Sequence, residues 1–182
     1  MLPAERDFFV TWRLHGSLPE LIHETGTRVL PGWKFRQLDR RLDKPSHGPR
    51  WLEQPEIAAC VLGALLRGHG ELRHYRLHAF VIMTNHVHVL ISPLQPLPRI
   101  MAALKSTTAR HANRLLQRSG ARFWQEESFD HYIRTRNEFA RVQRYIENNP
   151  VAAGLAKHPE HWRWSSANPT LKPFLICGNV RA

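Results

Sequence analysis

Aromatic and β-branched residues dominate positions 8–14, FFVTWRL, and stop at His15-Gly16-Ser17, which predicts a first strand closed by a turn. Residues 56–67, EIAACVLGALLR, set Ile57, Val61 and Leu65 on one helical stripe that ends at Gly68-His69-Gly70. Two β-rich runs follow, LHAFVIM at 77–83 and HVHVLIS at 86–92. Only Thr84-Asn85 separates them, the spacing of a tight antiparallel hairpin at the centre of a sheet. From Pro98 to about Gln117 the interior lacks Pro and Gly and carries Ile100, Leu104, Ala112 and Leu115 among basic residues, an amphipathic helix. FDHYIR at 129–134 predicts a short strand. Thr135 and Glu138 then form the capping box of a last helix that runs to Asn149, with Pro150 just beyond. Between Pro31 and Pro55 charge, Gly and Pro predominate, and this stretch predicts a long surface connection.

Strand, helix, two strands, helix, strand, helix is the order of an α+β, ferredoxin-like split βαβ antiparallel sheet with an added C-terminal helix. The chain has 182 residues, 42% of them hydrophobic, enough for one real core. One domain over residues 1–168 and a tail over 169–182 are expected. Lys and Arg outnumber Asp and Glu by 26 to 15, a formal charge of +11 that points to a polyanionic partner, nucleic acid above all. No apolar run reaches the length of a membrane span and MLPAERDFFV lacks a signal-peptide pattern, so a cytoplasmic, nucleoid-associated protein with no membrane partner is expected. Two cysteines, Cys60 and Cys177, outside any Cys-x-x-Cys pair, exclude a disulfide framework and a zinc ribbon.

Two constellations bear on chemistry. In a strand, His86 and His88 project from the same face while Val87 and Val89 enter the opposite layer, so two imidazoles aim at one point. Such a pair can hold a divalent cation if a third ligand comes from elsewhere; the plainer alternative is the polar face of an edge strand. On the last helix Phe139, Val142 and Ile146 form the buried stripe. Tyr145 and Asn149 fall together at its margin, one turn apart. Amphipathic packing explains a tyrosine there. So does a nucleophile with a metal-binding amide beside it, since phosphoryl transfer needs an oxygen nucleophile and a cation near the non-bridging oxygens. Arg110, Arg114 and Arg118, spaced four apart, are expected to align along one ridge and, with Lys105, to follow phosphates. Trp124, Phe123 or Trp12 would stack on unpaired bases. A solvated helix face is the alternative for any one arginine.

Thr84-Asn85-His86-Val87-His88-Val89-Leu90 resembles the PNHVH signature of IS200-like and REP-associated tyrosine transposases, with Thr84 where that family usually has Pro. Arg144-Tyr145-Ile146-Glu147-Asn148-Asn149-Pro150-Val151, followed by Ala153-Gly154-Leu155, resembles its RYIxxNPVxAGL helix end. Phe123-Trp124-Gln125 and Trp162-Arg163-Trp164-Ser165-Ser166 match as well, in the same order, over roughly residues 8–168. The resemblance implies an HUH-type transposase in which His86, His88 and Asn149 bind Mg²⁺ or Mn²⁺. Tyr145 attacks a phosphodiester of single-stranded or hairpin DNA, leaving a 5′-phosphotyrosine and a free 3′-hydroxyl, and reversal joins a new strand. REP- or BIME-like palindromes are the implied substrates, and a monomer is expected over a dimer. Among the three tyrosines, Tyr132 is the serious rival and Tyr75 the lesser one. The competing class is a non-catalytic ferredoxin-like nucleic-acid-binding module, which accounts for charge and fold but leaves the His pair and the Tyr145/Asn149 spacing as accidents.

Overall fold

The computed structural model describes residues 6–17 and 48–177. Most of the expected connection from Pro31 to Pro55 therefore lies outside the described residues. Four strands, β1 (Phe8–Arg13), β2 (Tyr75–Ile82), β3 (His86–Pro93) and β4 (Phe129–Tyr132), form one sheet in the order β2-β3-β1-β4. Every neighbouring pair is antiparallel. Among the described residues four α-helices accompany them: α1 (Pro55–Gly70), α2 (Leu97–Leu115), α3 (Arg136–Ala152) and α4 (Lys172–Cys177). This is the expected α+β, split βαβ arrangement with α3 added after β4.

Alternation along the strands sorts the side chains into two layers. Val10, Trp12 and Leu14 of the first strand and its extension join Val87, Val89 and Ile91 of β3 under α1 and α2, against Ile57, Val61, Leu65, Ile100 and Leu104. The opposite face carries Phe9, Ala79, Val81 and Leu90 against Ile146 of α3. A register shift between Leu77 and Ala79 inserts one residue into β2, which lets Leu77 and Phe80 share the first layer although they are three apart. The Met83 amide donates to the His86 carbonyl at 2.9 Å and closes the Thr84-Asn85 turn as expected.

Helix boundaries differ from expectation at two glycine or proline positions. Gly68 does not end α1; a Cβ there would stand 2.5 Å from the Tyr75 hydroxyl, so this glycine serves close approach inside the helix. Pro150 lies within α3, which continues to Ala152. The helix stops at Gly154 (φ +73°), where the Leu155 amide donates to the Pro150 carbonyl and the Gly154 amide to Val151, a Schellman closure. Beyond residue 168, Leu171 and Leu175 pack on the first layer, and the ring of His69 donates from Nε2 to the Leu175 carbonyl.

The β2 edge of the sheet is covered by a later segment of the chain. Residues 162–166 run along the outer side of β2. The Ile82 amide donates to the Trp164 carbonyl and the Ser166 amide to Phe80, both at 2.9 Å, while the Trp162 indole donates to the Ile82 carbonyl. Ser166 Oγ accepts from the Phe80 amide and donates to Glu147 of α3 at 3.0 Å, so this segment braces the last helix against the sheet.

Candidate functional site

Strand β3 delivers both histidines to the α3 face, and both are fully buried. Their Nε2 atoms stand 3.1 Å apart. Each Nδ1 is engaged: that of His86 donates to Asn85 Oδ1 at 2.7 Å, and that of His88 lies 2.6 Å from the Thr11 hydroxyl on β1. Helix α3 crosses this face and brings Asn149, 3% exposed, with its amide nitrogen 3.5 Å from His88 Nε2. Tyr145, one turn earlier and half-buried, stands with its ring centroid 6.0 Å from that of His88 and meets Phe9 edge-on. A cleft of about 540 Å³ opens beside it, lined by Arg144, Tyr145, Glu147, Asn148, Asn149, Ala152 and Pro159.

These residues fit a divalent cation. Two nitrogens bound side by side to one ion at about 2.1 Å each stand roughly 3 Å apart, which is the separation of the two Nε2 atoms. Among the described residues no group of three His, Cys, Asp or Glu converges. The Asn149 amide, 3.5 Å from His88 Nε2, is the group that could supply a third donor, its oxygen and nitrogen exchanging places by rotation of one planar group. Two imidazoles and an amide oxygen suit Mg²⁺ and, with the nitrogens, Mn²⁺ more.

The other tyrosines lie elsewhere. Tyr75 is enclosed in the first layer, its hydroxyl donating to the Leu65 carbonyl, and burial pushes its phenol well above the ordinary value. Tyr132 pairs with Phe8 across β1 and β4, and Phe8 packs with the first layer. Cross-strand partners share a face, so Tyr132 stands on the side of the sheet away from the His pair.

The expected DNA-contacting residues separate into two groups. Arg110 and Arg114 are exposed on α2 and rim a second cleft of about 440 Å³ with Ser106, Asn113 and Ser119. Arg118 does not continue their ridge. The helix ends at Leu115, Gln117 turns to φ +54°, and the Arg118 guanidinium lies over the Trp51 ring at 4.0 Å. Lys105 is half-buried and donates to the carbonyls of Gln125, Glu126 and Glu127, fastening that loop; burial lowers its ammonium to about 8 against the pull of Glu127 and Glu126. Trp124 is 7% exposed, its indole donates to Thr108 Oγ1 at 2.8 Å, and Trp12 and Phe123 at its edges are more buried still. None of these three rings offers a face for a base. The expected stacking role is corrected: they pack the core because their neighbours along β1 and α2 leave no solvent over them.

Sequence reasoning passed over Thr11 and Asn85 as partners of the histidines. Thr11 carries a signal in hindsight, as the hydroxyl set among apolar residues in FFVTW; its register opposite His88 carries none.

A family model for IS200-like transposases matches residues 58–149, from α1 through the His pair to Asn149. The chain belongs to the IS200-like transposase family. DNA transposition is accordingly its functional class. Among solved structures, the chain is similar to that of a REP-associated tyrosine transposase bound to a REP hairpin, at 14% identity and a TM-score of 0.59, over 98% of this chain and 86% of that one; this likeness bears on fold. A crystal structure from Deinococcus radiodurans R1 assigned as a transposase aligns at 16% identity and a TM-score of 0.38, over 82% of this chain and 95% of that one, too loosely to bear on the fold. No curated protein matches. As for membranes, no helix among the described residues of this transposase-family chain is long and apolar enough to cross one.

Proposed function

We propose that this chain is a metal-dependent single-stranded DNA endonuclease and strand transferase that acts at hairpin DNA of the REP type. Tyr145 is the nucleophile, and His86, His88 and Asn149 are the ligands of Mg²⁺ or Mn²⁺. The observation that carries this reading is the convergence, on one face of the sheet, of two imidazole nitrogens 3.1 Å apart, the Asn149 amide and the ring of Tyr145. The Tyr145 hydroxyl loses its proton as its oxygen bonds to phosphorus; the bond from phosphorus to the 3′ oxygen breaks, and that oxygen takes up a proton as a free 3′-hydroxyl. Reversal with another 3′-hydroxyl joins a new strand, and bond energy is conserved, so no nucleotide triphosphate is required. A cation held by His86, His88 and Asn149 would offset charge on the non-bridging oxygens. Arg144, exposed on the cleft, and Arg110 with Arg114 on α2 are suited to the phosphates flanking the reacting one. The brace by residues 162–166 joins α3 to its own sheet, which favours a monomer using its own tyrosine.

The test is a denaturing gel of labelled single-stranded hairpins with wild type, Tyr145→Phe and Tyr132→Phe, in Mn²⁺ or in chelator. The expected result is metal-dependent cleavage with a covalent protein–DNA band that only Tyr145→Phe loses. Loss in Tyr132→Phe alone overturns the nucleophile. Binding of every hairpin without cleavage favours the non-catalytic binding module.

A further inference from the structure

We propose that Thr11 is a positioning residue of the cation site: its hydroxyl sets which nitrogen of His88 faces the ion. This rests on the reading of His86, His88 and Asn149 as ligands. Thr11 lies directly across the ladder from His88, is 5% exposed, and places Oγ1 2.6 Å from Nδ1.

Packing alone does not choose the orientation of the ring. Phe9 and Tyr145 flank His88, with centroids at 5.5 and 6.0 Å, and these apolar surfaces accept the imidazole equally well after a half-turn that exchanges nitrogen for carbon. Directional contacts separate the two orientations, and the 2.6 Å contact between Thr11 Oγ1 and Nδ1 is a short one, beside those of His86 at 3.1 Å and Asn149 at 3.5 Å on Nε2. The neighbouring ring shows the same device. Asn85 Oδ1 can only accept, so His86 carries its proton on Nδ1 and presents a lone pair at Nε2. For His88 to present a lone pair at Nε2 as well, its proton must sit on Nδ1 with the Thr11 oxygen accepting it. The two partners come from different places, Asn85 from the turn just before β3 and Thr11 from the paired strand, 77 residues away from His88 in sequence. With His88 fully buried and Thr11 nearly so, solvent has no path to replace the hydroxyl.

The experiment is Mn²⁺ titration calorimetry on the full chain, comparing wild type, His88→Gln, Thr11→Val and Thr11→Ser, with thermal unfolding of each. Valine keeps the branched shape and removes the oxygen; serine keeps the oxygen. Thr11→Val should weaken Mn²⁺ binding about 10- to 100-fold and Thr11→Ser should stay within about threefold of wild type. In wild type labelled with ¹⁵N-histidine and saturated with Mg²⁺, the His88 proton should reside on Nδ1, a readout that needs no variant. Thr11→Val binding Mn²⁺ as tightly as wild type, or a proton absent from Nδ1, overturns the role of Thr11 alone. Wild type that takes up no Mn²⁺, or His88→Gln that binds equally well, overturns the ligand assignment and this inference with it.

Discussion

On one side of β3, Val87, Val89 and Ile91 close against the apolar stripes of α1 and α2; one residue along, on the other side, His86 meets Asn85 and His88 meets Thr11 and Asn149. Both sides are buried to the same degree, every residue from Val81 to Ser92 being enclosed. What differs is the kind of atom enclosed. The first layer gains from apolar volume, whereas the second gives up apolar area to hold nitrogens and oxygens at fixed distances. Burial therefore does not separate frame from site in this fold; directional partners do.

The sharpest way to break that contrast is to remove bulk from one face and chemistry from the other. Phe80→Ala should cost about 3–5 kcal/mol in urea unfolding, since Phe80 is fully buried in the first layer, yet leave DNA cleavage per folded molecule nearly unchanged. His88→Gln should cost no more than about 1–2 kcal/mol while abolishing metal-dependent cleavage. Equal loss of stability from both substitutions would mean that the His pair is structural.

Trp124 stands at the border between the two readings of an aromatic residue in a basic protein. Trp124→Phe deletes the donor to Thr108 Oγ1 and some ring volume, and should cost about 1–2 kcal/mol with unchanged affinity for single-stranded DNA. A drop in affinity larger than the loss of stability would restore the stacking role. The sequence alone could not decide this, because an aromatic beside basic residues looks alike in a core and on a surface. The ladder of β1 with residues 123–125 makes the difference, and it is a long-range pairing. The same limit hid the Thr11–His88 contact. By contrast, the hairpin, the order of elements and the Tyr145/Asn149 alignment follow from local periods of two and 3.6, which are visible in a short window.

Thr135 marks the next smaller effect, on the delivery of α3 to the site face. Its hydroxyl accepts from the Glu138 amide at 3.1 Å, and Glu138 accepts from the Arg134 amide and His131. Thr135→Ala should cost about 1 kcal/mol in thermal unfolding. Burial works against the Glu138 charge, but those hydrogen bonds and the nearby His131 and Arg141 hold its carboxyl below the usual range. A lowered carboxyl stabilises the fold above its unfolded value, and that part is lost as pH falls through its folded value. The acid limb of unfolding should therefore flatten in Glu138→Gln.

The smallest effect tests whether Lys105 belongs to the frame or to the DNA. Its ammonium, lowered to about 8 chiefly by burial, titrates below the ordinary lysine value near 10.5. Between these values the unfolded chain holds more protons than the folded one, so stability due to this group rises with pH from about 8 toward 10. Partial solvent contact of Nζ shrinks the amplitude. Urea midpoints measured from pH 7.5 to 10 should rise in wild type relative to Lys105→Met; above that range Tyr75, whose phenol is raised, works in the opposite sense. A parallel pair of curves would show an ammonium in water, free for phosphate. Salt dependence then gives the cross-check: Arg114→Met should lower the slope of log affinity against log salt by about 1, and Lys105→Met should leave it unchanged if the three carbonyls of residues 125–127 hold that ammonium.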